Sequence, residues 1–230
     1  MIQRRALLNG IFATGALTLG GCGRTTKTNY RMSIEVTTPH GLCSGSSVRE
    51  VANHAPFELP FPSIAEDRPS WRVRGEAVMV DLPDGQVLFG LLSSGDGVRD
   101  YASREIWFIR RELNRDSFVL WPDPPRTTRP VIFDPLPMLV RFRDIADPTT
   151  VEKVDPNDLA ASFGVGVKLR QITVKMTNDV VTAGIEKRLE WLSNVRGSLV
   201  HIPVSKYPPS GTELPLYVTL TELDFIEGAI

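Results

Sequence analysis

The sequence lacks a large net charge, a long apolar run and any abundance of cysteine. Its 230 residues carry a formal net charge of −1, and both signs are interspersed without a basic block, which argues against a nucleic-acid partner. The N-terminal apolar run, residues 6–19, holds about 14 residues, whereas a bilayer-spanning helix needs roughly 20. The two cysteines permit at most one disulfide. We therefore expect neither a nucleic-acid-binding protein nor a permanent membrane span.

The N-terminus has the order of features that is typical of a secretory signal. A short basic segment ending in Arg4-Arg5 precedes the apolar run, and small residues follow it. The stretch Leu19-Gly20-Gly21-Cys22 resembles the lipobox of bacterial lipoproteins. This resemblance implies that the thiol of Cys22 receives a diacylglycerol, that the chain is cut before Cys22, and that the new α-amine is acylated. Lipidation of Cys22 would leave Cys43 as a lone thiol, so a Cys22–Cys43 disulfide would contradict it.

The resemblance sets the expected domain organisation and location. It predicts a signal peptide over residues 1–21, a tether over 22–29 and a globular domain over 30–230. Seven residues, 23–29, span at most about 25 Å, so the domain would lie close to a membrane surface of the cell envelope, facing the periplasm. Arg4-Arg5 also resembles a twin-arginine export signal. The export route and the choice between inner and outer membrane stay open.

The body predicts a mainly β protein. Short alternating segments are separated by turns rich in proline and glycine, which favours a β-sandwich or open barrel with two or three short helices. Six prolines fall in residues 121–137, and a connector there makes two small β subdomains of α+β type the alternative. Two hairpins are predicted, one around the turn Pro39-His40-Gly41 and one around Leu82-Pro83-Asp84-Gly85, whose first arm is the alternating segment from Trp71 to Met79. Helices are predicted over residues 102–113 and 182–192, with a brief one ending near Ala161, and strands over 199–204 and 214–223.

The apolar residues of one predicted strand change from odd to even positions. Its apolar residues are odd-numbered at Val167 and Leu169 and even-numbered from Ile172 onward. Because side chains alternate between the two faces of a strand, both sets can share a face only if one residue is extra. The sequence therefore predicts a β-bulge near Arg170-Gln171.

No motif in the body points firmly to a catalytic, cofactor or metal site. Gly41-Leu42-Cys43-Ser44-Gly45 has the spacing of a nucleophile elbow, but an extended segment follows where that motif needs a helix. His40, Cys43 and His54 match no metal-ligand spacing. His201 is interpreted as a hydrogen-bonded strand residue. Carboxylates at predicted turns are interpreted as caps and turn formers, not calcium ligands: Asp147, Asp155 and Asp158. Gly164-Val165-Gly166 lacks the lysine and the following helix of a phosphate loop.

Two functional hypotheses remain. Residues 34–48 and 151–164 resemble uncharacterised proteobacterial proteins, and that resemblance implies no activity. The favoured hypothesis is a lipid-anchored, non-enzymatic binding or scaffolding domain, with the membrane and an envelope protein as partners and without a cofactor. The alternative is a periplasmic enzyme, a hydrolase for example, whose site assembles from residues distant in sequence.

Overall fold

A computed structural model describes residues 24–55, 70–94, 117–121, 136–203, 205, 209 and 212–228. Within these ranges the chain forms ten strands and two short α-helices. The strands are β1 Arg24–Thr38, β2 Gly41–Ala55, β3 Ser70–Glu76, β4 Val78–Asp81, β5 Val87–Ser94, β6 Ser117–Trp121, β7 Pro137–Phe142, β8 Val151–Lys153, β9 Lys168–Thr177 and β10 Ile226–Glu227. The helices are α1 Leu159–Phe163 and α2 Leu216–Thr219.

The strands form two antiparallel sheets. The first sheet has the order β10-β3-β2-β1-β9-β6, and the second has the order β4-β5-β7-β8. The predicted mainly β class is confirmed, and the sheets do not close into a barrel. Each sheet combines strands from before and after residues 122–135, which lie outside the described residues together with the predicted helix over 102–113.

A long hairpin of β1 and β2 is the centre of the first sheet. Its two-residue turn, Pro39-His40, is held by Thr38, whose Oγ1 accepts from the His40 N–H at 3.2 Å and donates to the Gly41 carbonyl at 2.9 Å. This confirms the hairpin expected from the alternating pattern. The structure differs from the predicted tether, however, because residues 24–29 already belong to β1 and pair with the last residues of β2. Threonines and alternating polar residues there suit an exposed strand face.

The chain passes from the first sheet to the second at Ala77. β3 pairs with β2, whereas β4 pairs with β5 through the Pro83–Gly85 turn. Between them the N–H of Ala77 donates to the Phe225 carbonyl at 2.8 Å. The sequence predicted one continuous hairpin arm here, because the alternation of apolar residues continues through the corner. Strands that switch sheets at a bend are a feature of packed sheets.

The predicted bulge is confirmed at Arg170. Opposite β1, Glu35 pairs with Gln171 and Val36 pairs with Leu169, so Arg170 has no partner in the ladder. The extra residue restores the phase of β9 and turns Leu169 towards the same core as Ile172.

The second sheet is buried on both faces. One core fills the space between the sheets and includes Tyr30, Ile34, Leu88 and Ile172. The other lies between the second sheet and the C-terminal segment, where edge-to-face aromatic contacts join Phe89 to Phe142 and Phe225. All eight residues of β5 are buried as a result. The described structure is thus three layers: sheet, sheet, and an irregular C-terminal cover.

The C-terminal cover corrects three predictions. Residues 182–192 form two 3-10 turns, Ile185–Lys187 and Glu190–Asn194, instead of a helix, because Gly184 (φ 132°) and Leu189 (φ −111°, ψ 75°) interrupt the helical conformation. Residues 199–203, where a strand was predicted, contain no strand. The segment expected to be a strand over 214–223 instead contains α2 and a 3-10 turn.

Candidate binding site

An open groove lies on the outer face of the first sheet, where β1 begins. Its volume is about 610 Å³. We call it the basic groove and define it by six of its lining residues: Lys27, Glu50, Ala52, His54, Arg72 and Arg74. They come from β1, β2 and β3, so the groove exists only because these three strands are adjacent.

Strand alternation places these side chains outward. In β1 the even residues, such as Tyr30 and Met32, are fully buried, so the odd residues, including Lys27, face solvent. The ladder then sets Lys27 opposite Ala52 and, on the other side of β2, Ala52 opposite Arg72. Residues opposite one another on one face of a sheet are within contact distance.

The groove carries more positive than negative charge. Lys27 Nζ lies 3.0 Å from Glu50 Oε1, and the Glu50 side chain is only 17% exposed. Arg72 and Arg74 are exposed, and no described carboxylate lies within ion-pair distance of either. Lys175 of β9 lines an adjoining depression that also includes Lys27. The groove itself therefore holds three cations, Lys27, Arg72 and Arg74, and one carboxylate, Glu50.

Acidic residues limit the basic region on one side. A second groove, near β10, shares Glu50 and Arg74 with the first and adds Glu186 and Glu227. Farther along β1, Arg31 Nη2 lies 2.9 Å from Asp179 Oδ2, and the charge of Lys175 also acts on Asp179. Lys27 is paired with Glu50, and Lys175 lies near Asp179, so the excess positive charge is that of Arg72 and Arg74, at the end of the sheet where β1 starts.

The groove also holds one hydroxyl–imidazole contact. Thr25 Oγ1 lies 3.2 Å from His54 Nδ1 across the β1–β2 ladder, and the donor depends on the histidine tautomer. The arginine and lysine donors beside it suit an anionic group such as a phosphate or carboxylate, because guanidinium and ammonium groups form charge-assisted hydrogen bonds to such oxygens.

The structure separates the residues that the sequence suggested for metal binding. His40 lies in the hairpin turn, Cys43 is half-buried against the core between the sheets, and His54 is near the far end of β2. Among the described residues no group of three His, Cys, Asp or Glu side chains could hold a metal ion. Gly41 to Gly45 begin β2 and lead into strand, not helix, so the elbow geometry is absent there.

The remaining candidates are explained by local structure. Asp158 accepts from the Ala161 N–H at 3.1 Å and caps α1, and Asp147 accepts from the Thr149 N–H at 2.9 Å. Asp155 accepts from the Asn157 N–H at 2.8 Å. The cap and turn interpretation is therefore confirmed for all three. His201 is exposed and lies outside any strand, which corrects the strand prediction. Cys22 lies outside the described residues.

Sequence reasoning missed a buried charge at Arg49. The residue is fully buried. Its guanidinium donates to the Glu76 carbonyl at 3.1 Å, to the Gly90 carbonyl at 3.1 Å and to the Leu91 carbonyl at 3.4 Å. The alternation of side chains along β2 could have indicated its burial, because Arg49 is odd-numbered like the inward-facing Cys43 and Val51.

Glu76 is buried beside this arginine and is linked to the C-terminal cover. Its Oε2 accepts from the Ile185 N–H at 2.9 Å, while its carbonyl accepts from Ser47 Oγ at 2.8 Å. Burial raises the pKa of the Glu76 carboxyl, and the N–H groups of Ile185 and Gly184 oppose that rise. Glu76 therefore joins β2, the sheet-switching corner and the cover at the cost of burying an acid.

Glu76→Gln should alter how stability depends on pH. A raised pKa in the folded state means that the protonated acid favours folding; this contribution is complete below the ordinary glutamate pKa of about 4.3 and is lost as pH rises through the folded value. Relative to wild type, the glutamine variant should gain unfolding free energy across that interval, at no more than about 1.4 kcal/mol per pH unit. Urea denaturation at several pH values measures this difference. Exposed Glu190→Gln is the control, and parallel curves for Glu76→Gln and wild type would refute the prediction.

Comparison with known proteins gives no relative for this chain. No protein-family model matches the sequence, and neither a curated protein nor a solved structure matches it significantly. None of the helices in the described ranges has the length and apolar character needed to cross a membrane. Functional inference therefore depends on the N-terminal motif and on the chemistry of the basic groove.

Proposed function

We propose that the chain is a lipid-anchored protein of the bacterial cell envelope whose β domain is a non-enzymatic binding or scaffolding module facing the periplasm. The anchor is assigned from Leu19-Gly20-Gly21-Cys22 and from the basic and apolar segments before it. Two or more acyl chains hold a protein stably on a membrane. The partners are the membrane, through the anchor, and an envelope protein.

The observation that carries the proposal is the position of the basic groove relative to Cys22. β1 begins at Arg24, and Thr25 already lines the groove. The anchored end of the chain and the binding surface are therefore adjacent. A surface that is open and rich in hydrogen-bond donors suits a binding role.

Replacing Cys22 by serine should abolish lipid attachment and release the protein from membranes. Serine offers no thiol to receive the diacylglycerol, and the acyl chains supply the membrane affinity, about 0.8 kcal/mol per buried methylene. Metabolic labelling with palmitate and fractionation of membranes measure both effects. The matched control is Cys43→Ser, which should keep both label and membrane partitioning. Unchanged partitioning of the Cys22 variant would end the lipoprotein proposal.

The second candidate function is a hydrolase. The hydrogen bond between Thr25 and His54 favours it, since a hydroxyl beside an imidazole is the core of many acyl-transfer sites. We place it second because Cys43 and Ser44, the nucleophiles suggested by sequence, lie towards the opposite end of β2 from His54.

A further inference from the structure

We propose that the basic groove lies against the membrane and binds the phosphate groups of anionic lipids. The inference rests on the proposed lipid anchor and adds to it: the anchor would bring the domain to the bilayer, and the groove would then set which face of the domain meets it. The occupant is an anionic lipid surface, not a free anion or a protein.

The first argument is chain length. Two residues, Gly23 and Arg24, separate Cys22 from Thr25, and the three Cα-to-Cα steps between them span about 11 Å at most. Because Thr25 is on β1 and lines the groove, acylation of Cys22 holds that end of the first sheet within headgroup distance. The hairpin turn at Pro39-His40 lies roughly 45 Å away along β1.

The second argument is charge complementarity. At the start of β1 the groove holds three cations, Lys27, Arg72 and Arg74, against the carboxylate of Glu50, which is paired with Lys27. Anionic leaflets attract basic residues within about a Debye length of the surface. Arginine adds a planar pair of donors that matches phosphate oxygens. Glu186 and Glu227 lie beyond the groove, towards β10, and should face away from the lipid.

The third argument is that basic residues elsewhere on this sheet are distant from the anchor. Lys168 and Arg170 are exposed on β9, and Lys168 pairs with Thr37 near the hairpin turn. Arg170 Nη1 lies 3.6 Å from Glu35 Oε2. Lys168 and Arg170 carry the same total charge as Arg72 and Arg74 but lie far from the anchor. Reversing their charges therefore tests whether the position of the charge on the sheet matters.

The test uses the full lipidated chain in vesicles of phosphatidylcholine alone or with 30% phosphatidylglycerol, a composition of about one anionic lipid in three. With Cys43→Ser as background, Ala52→Cys places a fluorophore in the groove, and Leu42→Cys places one near the hairpin turn. A quencher on the lipid headgroup reports proximity. We expect quenching at position 52 to increase with phosphatidylglycerol and to decrease at high salt, with little change at position 42.

Reversing the charge of both arginines, Arg72→Glu with Arg74→Glu, should reduce the population of domains whose groove touches the bilayer, relative to those whose groove does not, by at least about 25-fold. One basic residue near the surface contributes roughly fivefold to this ratio. Lys168→Glu with Arg170→Glu should leave quenching at position 52 unchanged. Equal quenching at both positions, or quenching insensitive to phosphatidylglycerol, would overturn the inference. If soluble inorganic phosphate competes as well as lipid does, the membrane is not the occupant.

The same samples test the groove proposal and the lipid-anchor proposal separately. Flotation with the vesicles reports the anchor, whatever the orientation of the domain. Chain that floats without headgroup contact at position 52 contradicts the groove proposal alone. Chain that fails to float contradicts the lipoprotein proposal itself.

Discussion

Arg49→Ala should be among the most destabilising single substitutions in the described structure, with an expected loss of about 3–5 kcal/mol of unfolding free energy. The arginine is fully buried, and its guanidinium satisfies carbonyl groups of Glu76, Gly90 and Leu91. Its removal would leave these acceptors without that donor in a space closed to water and would create a cavity.

A second substitution at Arg49 separates the loss of hydrogen bonds from the loss of volume, and a substitution at Arg188 is the surface control. Arg49→Met keeps most of the volume but no donor, so it should cost less than alanine and still destabilise by about 1–3 kcal/mol. Arg188→Ala removes an exposed arginine whose Nη2 lies 3.1 Å from Asp81 Oδ1, and it should change stability by less than about 1 kcal/mol. Urea denaturation followed by tryptophan fluorescence compares all three. A methionine variant as stable as wild type would show that the hydrogen bonds are dispensable.

The sequence could predict those parts of the fold that depend on local phase. The bulge at Arg170 follows from the parity change between Leu169 and Ile172, and the β1–β2 hairpin follows from alternation on both sides of Pro39-His40. Both features are dictated by which side chains must share a buried face, and neighbouring residues carry that information.

Phase alone could not separate strand from helix in the C-terminal cover. Leu216 and Leu220 are even-numbered, as a strand pattern requires, but they are also four residues apart, which satisfies one face of a helix. The backbone there forms α2. Similarly, Ile185, Leu189 and Leu192 are buried together as the predicted helical face requires. Only the predicted conformation, a continuous α-helix, was wrong, because two 3-10 turns also bring these three residues to the face that packs on the core.

The basic groove could not be predicted at all. Lys27 and Arg72 are separated by 44 intervening residues, and each looks like an ordinary exposed strand residue. They become neighbours only through the order β3-β2-β1 in the first sheet. Arg49 was missed for a different reason: a buried cation contradicts the usual pattern, and its justification, several carbonyls of β3 and β5, is visible only in three dimensions.

Gly45 provides the second large prediction and tests how closely the two sheets approach. A Cβ at this position would lie 1.8 Å from the Met79 carbonyl oxygen and 3.2 Å from the Val80 Cα. Both atoms belong to the backbone of β4, so no side-chain rotation can relieve the overlap. Gly45→Ala should therefore separate β2 from β4, at a cost of about 3–5 kcal/mol.

Gly90→Ala is the matched control, because it adds the same methyl group to a buried strand glycine. Its Cβ would lie 2.4 Å from Ile34 Cδ1, which is the far end of a side chain and not backbone, so rotation about χ2 can relieve part of the overlap although Ile34 is buried. We expect a smaller loss there, about 1–3 kcal/mol. If the two alanine variants unfold at the same urea concentration, the close contact between β2 and β4 is not rigid. A much larger loss for Gly45→Ala would instead mean that the segment Gly41–Gly45, which resembles a nucleophile elbow in sequence, owes its last glycine to sheet packing rather than to chemistry.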